Sequence, residues 1–359
     1  MHIVYLVENI DVAGGIERSL ITRVNYMIES CNYEITIVCT NKNTGLPYYQ
    51  LHSKAKLIFL DPLTAKKTLF GRIYLRFLQS KQIINLHSDI IISVKYTLHN
   101  LFFYLLRKNQ KLISELREPK EQYNLESIGI KNKLNIVIRN LVFKQQNGLI
   151  VLTNTDKQNW GFNNMHVVPN PILIDTKEVS NLKNKQILAI GRLHPIKGFD
   201  LLIKAWKKVI TKHDDWQLKI CGEGSEYLNL MRICSDLNLL NNVAISNQFS
   251  DVVPEFLNTS IFVMTSKFEA FGNVLVEAKG CGVPSIAFDA PSGPREIIMN
   301  GLDGFIVPVY DIDALAEKII FLIENETVRF EMGRKAKINS ELYSLDKVMK
   351  LYIKVITKC

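Results

Sequence analysis

The chain has 359 residues, 47% of them apolar and 22% charged, with a formal net charge of +9. That length exceeds one ordinary core and leads to an expectation of two domains, and the composition excludes a disordered or low-complexity chain. Residues 1–170 hold 21 Lys and Arg against 12 Asp and Glu, the remainder 23 against 23, so the whole excess lies in the first half.

That asymmetry suggests an anionic partner, whether a membrane surface, a phosphorylated substrate or a nucleic acid; a generally solvated basic surface is the alternative. No apolar run reaches the roughly 18 residues that span a bilayer, and "LFFYLLRK" from Leu101 is stopped by Arg107 and Lys108. The opening "MHIVYLVENID" is strand-like and has no basic n-region, so a signal peptide is not expected. Cys31, Cys39, Cys221, Cys234, Cys281 and Cys359 form no C-x-x-C pair. They point to a reduced, cytosolic protein, with no zinc site expected.

In chain order, strand-like runs occupy 2–7, 34–40, 57–60, 89–94, 111–116 and 148–153. Helix-length stretches at 16–28, 69–86, 97–108 and 130–145 lie between them. The pattern restarts after "VVPNPI" (167–172), with strands at 186–191, 216–222, 242–246, 260–265 and 283–288 and a helix from Phe199 to Lys212. Continuous apolar strands alternating with helices predict parallel sheets covered on both faces. The expected organisation is two doubly wound α/β domains with a ligand cleft between them: residues 1–170, residues 171–340, and a C-terminal amphipathic helix (341–359) that packs back toward the first. "CGEGSEYL" has G-x-G without the third glycine of a dinucleotide fingerprint, so NAD binding is disfavoured.

The loops carry the chemistry. "FEAFGNVLVEAKGCGVP" predicts a helix from Asn273 to Lys279 preceded by Gly272, with the N–H groups of Asn273, Val274 and Leu275 forming an anion site. Glu269 stands before that start, and Glu277 one turn inside, where it could accept from vicinal hydroxyls. Taken alone, Glu277 reads as a capping or surface residue ahead of a ligand group. Arg192 and Lys197, in the loop "GRLHPIKG", could neutralise the charge of a departing diphosphate without a metal, or be solvated surface charges.

Taken together, "GGIERSL", "VVPNPI", "GRLHPIKGFDLLIKAW", "CGEGSE", "FEAFGNVLVEA", "GCGVPSIAFD" and "NGLDGFIVP" resemble the retaining nucleotide-sugar glycosyltransferases of family 4, along nearly the whole chain. The resemblance implies the GT-B fold, two Rossmann-like parallel-sheet domains facing a central cleft. It implies hexosyl transfer from a nucleotide-sugar, on family habit a UDP-sugar, to a glycan acceptor. Arg192 and Lys197 match the pair that holds the donor diphosphate, Glu269 the glutamate near the donor sugar and Glu277 the one that takes the ribose hydroxyls. Gly14 and Gly15 match the loop that closes against the diphosphate, and Gly222 and Gly224 the loop near the base. Phe271, Gly272, Asn273 and Val274 fall in the same donor-binding segment. No cofactor or metal is expected; "DID" at 311–313 leads into a helix and carries little weight as a metal site.

On the acceptor side, Glu115-Leu116-Arg117-Glu118-Pro119 departs from the S-E-R-x-x-P of many bacterial polysaccharide members, because Leu116 takes the arginine's place. Glu115, Arg117 and Glu118 are the candidates to face the acceptor, or else form a salt-bridged loop. "DAPSGPREII" resembles a segment of capsule and O-antigen enzymes, in which Arg295 and Glu296 read as structural. The basic first half suits a lipid-linked acceptor, with "KKTLFGRIYLRFLQSK" (66–81) as either an interfacial helix or a core helix with a basic face. The resulting expectation is a surface-polysaccharide enzyme bound peripherally to the cytoplasmic face of the inner membrane. A UDP-sugar epimerase of the same fold is one alternative. A basic nucleic-acid-binding protein is another, disfavoured because no exposed aromatics interleave with the basic residues.

Overall fold

The computed structural model describes residues 1–359 except 13, 41–45, 62–67, 119, 121–129, 175 and 247–250. The chain divides into two compact units, one of Met1–Asn170 with Asp346–Cys359, the other of Pro171–Leu345.

In the first unit the β-branched runs form β1 (His2–Val7), β2 (Glu34–Cys39), β3 (Lys56–Phe59), β4 (Ile90–Ser93), β5 (Lys111–Glu115), β6 (Gly148–Val151) and β7 (Met165–Val167). Their order is β3-β2-β1-β4-β5-β6-β7, with every neighbouring pair parallel. The order turns back between β1 and β4, which is where a doubly wound sheet opens a crevice at its carboxyl edge. Strands β1, β2 and β4 are almost wholly buried, which is why they read as continuous apolar runs rather than alternating ones.

The C-terminal helix Leu345–Lys358 turns one apolar face inward, made of Val348, Met349, Tyr352, Val355 and Ile356. These positions recur at three- and four-residue intervals, as an amphipathic helix requires. Residues 341–344, expected to belong to that helix, stay with the second unit. There the Tyr343 carbonyl accepts from Ile172 N at 2.8 Å, and the Tyr343 ring meets Phe271 edge-on with centroids 5.9 Å apart.

The helix Leu69–Ile84 starts at Thr68, whose side chain accepts from Gly71 N at 3.0 Å. Lys66 and Lys67, read as part of it, lie outside the described residues. Against this helix packs His99, buried, with Nδ1 2.9 Å from Ser80 Oγ and its ring stacked on Phe103. Burial, and then the nearby Arg76 charge, push the His99 pKa down from 6.5 to about 4. The unfolded chain therefore binds this proton more readily than the folded one. His99 stabilises fully above about pH 6.5, and roughly 3 kcal/mol is lost as the pH falls from there through 4. Denaturant unfolding of the wild type and His99→Gln between pH 4 and 7 should show a shallower pH slope in the variant; equal slopes would refute this.

The second unit contains β8 (Gln186–Ile190), β9 (Gln217–Cys221), β10 (Val243–Ser246), β11 (Ile261–Met264), β12 (Ser285–Phe288) and β13 (Gly304–Val307). They run parallel in the order β10-β9-β8-β11-β12-β13, turning back between β8 and β11. One core cluster gathers Ile187, Leu218, Val263 and Phe288 from the sheet with Leu202, Trp206 and Ile319 from the helices. Trp206 is fully buried yet satisfied, its indole N–H donating to Asn242 O at 3.1 Å.

Candidate functional site

The site is built at the carboxyl edge of β8 and β11, where the second sheet turns back. Beyond Ile190 the chain runs through Arg192 into the short turn Pro195–Lys197, and beyond Met264 it runs through Ser266 to Glu269. Backbone and side-chain bonds stitch these loops together: Lys267 N donates to Ile196 O at 2.8 Å, and Thr265 Oγ1 donates to Lys197 O at 2.9 Å. The β9 loop joins the same layer, since Leu193 N donates to Glu223 O at 2.7 Å and Glu226 N to Leu193 O at 3.1 Å.

That stitching brings two predicted residues, 72 positions apart, into contact. Lys197 Nζ donates to Glu269 Oε2 at 2.6 Å, and Ser266 Oγ donates to the same oxygen at 3.2 Å. Both side chains of the pair keep some exposure, 24% for Lys197 and 17% for Glu269, so a ligand can reach them. Arg192, on the same loop, is exposed and has no ion-pair partner among the described residues. Ser266 was missed in the sequence, where nothing marks a lone serine as the partner of a glutamate three residues on.

Glu269 also fixes the next element, because its carbonyl accepts from Gly293 N at 3.1 Å. Gly272 then adopts φ 99°, a left-handed conformation that starts the helix Asn273–Gly280. Of the three N–H groups expected to be free there, that of Leu275 is not: it donates to Gly272 O at 2.9 Å. The anion-binding start is thereby reduced to Asn273 and Val274, both half-buried. Phe271 is buried against Tyr343 and supports the turn from below.

Glu277 is only 3% exposed, so it is not a surface residue. Two positions further, Lys279 is fully buried and donates to Asp303 Oδ2 at 2.5 Å. Burial lowers the Lys279 pKa, and the Asp303 charge works against that shift. Asp303 also accepts from Met299 N at 2.9 Å and from Asn339 Nδ2 at 2.8 Å, which anchors the helix bearing Glu277. Lys279→Met leaves Asp303 buried without its counter-charge and should destabilise the second unit by about 3–5 kcal/mol. Urea unfolding measures this, and a loss below about 1 kcal/mol would contradict the anchoring role.

Gly222 and Gly224 begin the β9 loop. A Cβ on Gly222 would stand 1.8 Å from Gly191 O, so only glycine lets the two loop backbones approach this closely. Gly222→Ala should cost about 1–3 kcal/mol of stability through this clash; an unfolding curve that superimposes on the wild type would refute it. "DID" is accounted for structurally: Asp311 accepts from Ala314 N at 2.9 Å at a helix start, and Asp313 pairs with Lys208. Arg295 pairs with Asp289, and the Glu296 carbonyl accepts from Tyr343 OH at 3.1 Å.

The remaining candidates belong to the first unit. Gly14 is the N-cap of the helix Gly15–Cys31, in an extended conformation, and Gly15 is that helix's first residue. Glu115 takes the salt-bridged one of its two expected arrangements. It is 0% exposed, with Oε2 accepting from Arg23 Nη2 and Arg117 Nε, each at 3.0 Å, and Oε1 accepting from Tyr352 OH at 2.6 Å. Two guanidinium groups and a phenol occupy this carboxylate. Burial and the Glu115 charge hold the Tyr352 hydroxyl well above its ordinary pKa, which keeps it a donor.

Arg117 also donates to Asn170 Oδ1 at 2.7 Å. Arg117 and Glu118 line a cavity of about 390 Å³ at the carboxyl edge of β1 and β4, within the usual size range of ligand pockets.

The family model described as "Glycosyl transferases group 1" matches residues 173–339. Over 358 residues the chain is 27% identical to an uncharacterized glycosyltransferase of Haemophilus influenzae, covering 96% of this chain and 97% of that one. It is 26% identical to the amylovoran biosynthesis glycosyltransferase AmsD of Erwinia amylovora, covering 96% of each. Among solved structures, Anabaena HepE in complex with UDP and glucose superimposes with a TM-score of 0.77 at 18% identity, covering 100% of both chains. The lipopolysaccharide outer core galactosyltransferase WaaB superimposes with a TM-score of 0.78 at 20% identity, covering 99% of both chains.

Proposed function

We propose that the chain, whose residues 173–339 match the model of the glycosyl transferases group 1 family, is a hexosyl-transferring enzyme of GT-B fold that transfers a sugar from a UDP-sugar to a glycan hydroxyl with retention of anomeric configuration. The observation that carries this reading is the Lys197–Glu269 contact beside Arg192 at the turning point of the second sheet.

In this reading Arg192 and Lys197 bind the donor diphosphate. An ammonium has three donor hydrogens, so Lys197 can keep Glu269 and contact a phosphate oxygen together. Glu269 takes a donor-sugar hydroxyl, the N–H groups of Asn273 and Val274 take phosphate, and Glu277 takes the ribose. Gly222 and Gly224 let the base lie against the loop backbone. The acceptor oxygen bonds to the anomeric carbon on the face the diphosphate leaves. The carbon–oxygen bond to phosphate breaks with its electron pair going to the diphosphate, and a phosphate oxygen takes the acceptor's proton. Charge neutralisation by Arg192 and Lys197 requires no metal and no cofactor in this scheme.

The acceptor we propose is a lipid-linked glycan of surface-polysaccharide synthesis, met at the cytoplasmic face of the membrane. The helix Leu69–Ile84 supports this: Leu69 and Phe70 are 75% and 80% exposed, and Tyr74 and Arg72 are exposed beside them. Apolar and cationic side chains on one exposed segment suit an anionic lipid surface. Vesicles with anionic lipid should sediment the protein, salt should release it, and Phe70→Glu should weaken the association. No sedimentation at low salt would sink this part of the proposal.

Acceptor-dependent release of UDP from UDP-sugars, with proton NMR of the product anomer, tests the reaction itself. A UDP-sugar isomerised without any acceptor would favour an epimerase instead. Consumption of GDP- or ADP-sugars alone would keep the transfer and change the donor.

A further inference from the structure

Residues 291–293 hold the chain in a conformation that side chains rarely adopt. Ser292 is buried with φ 79° and ψ −74°, the largest positive φ of any described residue other than glycine. Across it, Gly293 N donates to Pro291 O at 3.3 Å. Those dihedrals and that bond make the strained hand of the γ-turn, in which the β-carbon is crowded by the backbone. A residue held there persists only where its surroundings over-determine it, and such residues gather at sites whose groups must be aimed.

The surroundings of Ser292 fix it from both ends. On one side Asp289 N donates to Val307 O at 2.8 Å and Ala290 N to Phe288 O at 2.7 Å. On the other, Pro294 opens the short helix Gly293–Ile297, and Asp289 pairs with Arg295 across the loop. The turn lies against the loop that carries Glu269. The Gly293 N–H is shared between Pro291 O and Glu269 O, the latter at 3.1 Å, and Glu269 and Ser292 form a parallel bridge. A Cβ on Gly293 would stand 2.0 Å from Phe271 O, so only glycine lets the two backbones meet. The Glu269 carboxylate is held by Lys197 and Ser266, and its main chain is held by this turn. Side chain and backbone are thus anchored separately.

We infer that Ser292 is a positioning residue for the donor sugar. Its strained turn fixes the backbone of Glu269, and thereby the direction of the carboxylate that takes a sugar hydroxyl. Ser292 acts through Glu269. This rests on the UDP-sugar reading of the second unit, and it adds that the aim of the sugar-binding carboxylate depends on a later loop, separately from the binding of the nucleotide.

The test is calorimetric titration of the full chain with UDP, UDP-glucose, UDP-galactose and UDP-N-acetylglucosamine, for the wild type, Ser292→Gly and Ser292→Val, with a thermal melt of each protein. At least one UDP-sugar should bind the wild type. Glycine adopts the turn without strain, so Ser292→Gly should raise the melting temperature by a few degrees and leave the Kd of UDP and of that UDP-sugar within about twofold. A β-branched side chain does not fit at φ 79°. Ser292→Val should therefore weaken the UDP-sugar about tenfold while UDP stays within about twofold. Unchanged UDP-sugar binding in Ser292→Val, or an equal weakening of UDP and UDP-sugar, would overturn the inference. If Ser292→Val does not fold, Ser292→Gly decides: no rise in melting temperature, or a loss of UDP-sugar binding, would overturn it. A wild type that binds neither UDP nor any of the UDP-sugars sinks the UDP-sugar reading and this inference with it. A wild type that binds them, with no selective loss in Ser292→Val, sinks this inference alone.

Discussion

Replacing Lys197 by alanine is expected to lower kcat for sugar transfer by roughly 10²–10³, the effect of removing one preorganised charge from a developing oxyanion. The ammonium is held in place before any ligand arrives, by Glu269 at 2.6 Å and by a loop whose backbone is bonded to the β11 loop. Its loss does two things. The diphosphate loses a counter-charge as it leaves, and Glu269 is left as an unneutralised carboxylate beside the anionic donor. The donor KM should therefore rise along with the fall in kcat. Lys197→Arg restores the charge without the compact ammonium geometry and should recover only part of the rate. A Lys197→Ala enzyme with kcat within twofold of the wild type would show that this pair is not at the reacting centre.

In the first unit the largest stability effect is expected at Glu115. Glu115→Ala leaves Arg23 and Arg117 facing each other in the interior, and should destabilise the first unit by about 3–5 kcal/mol. Arg23 is also stacked over the Tyr352 ring, its guanidinium carbon 5.0 Å from the centroid, and Tyr352 OH lies 2.7 Å from Tyr5 OH. The cluster thus joins β1, β5, the helix Gly15–Cys31 and the C-terminal helix, so its loss should loosen all four together. Tyr352→Phe removes one hydrogen bond to Glu115 and should cost about 1 kcal/mol. Chemical denaturation measures both. An acceptor-facing Glu115 would give the opposite pattern, a raised acceptor KM with stability unchanged, and that result would reinstate the acceptor-facing arrangement.

The contrast between these residues shows what a sequence can carry. Eleven strands were legible because parallel strands buried on both faces are continuous β-branched runs, and their bounds differ from the observed ones by one or two residues. β7 and β13 were not, since Met165–Val167 and Gly304–Val307 are short edge strands set among turn residues. The helix Glu326–Ser340 also went unread, and of Ile312–Glu324 only the start at "DID" was read, where Asp311 caps it.

At the site, Arg192, Lys197, Glu269 and Glu277 were named from motif spacing, which is local. Their partners were not, because Ser266 meets Glu269 only through the bend of their shared loop and Lys279 meets Asp303 only when its helix packs beside the turn before β13. The choice between the acceptor-facing and the salt-bridged reading of Glu115 stayed open for the same reason. Its partners Arg23 and Tyr352 lie 92 and 237 positions away, and no local pattern predicts that they will occupy its carboxylate.

The most direct test of the donor site is thermal stabilisation of the wild type and of Glu277→Ala by UDP, GDP, ADP and NAD. The account predicts stabilisation by UDP that falls away in Glu277→Ala. Stabilisation by NAD alone, or an equal UDP effect in both proteins, would contradict the placement of the nucleotide on the helix Asn273–Gly280.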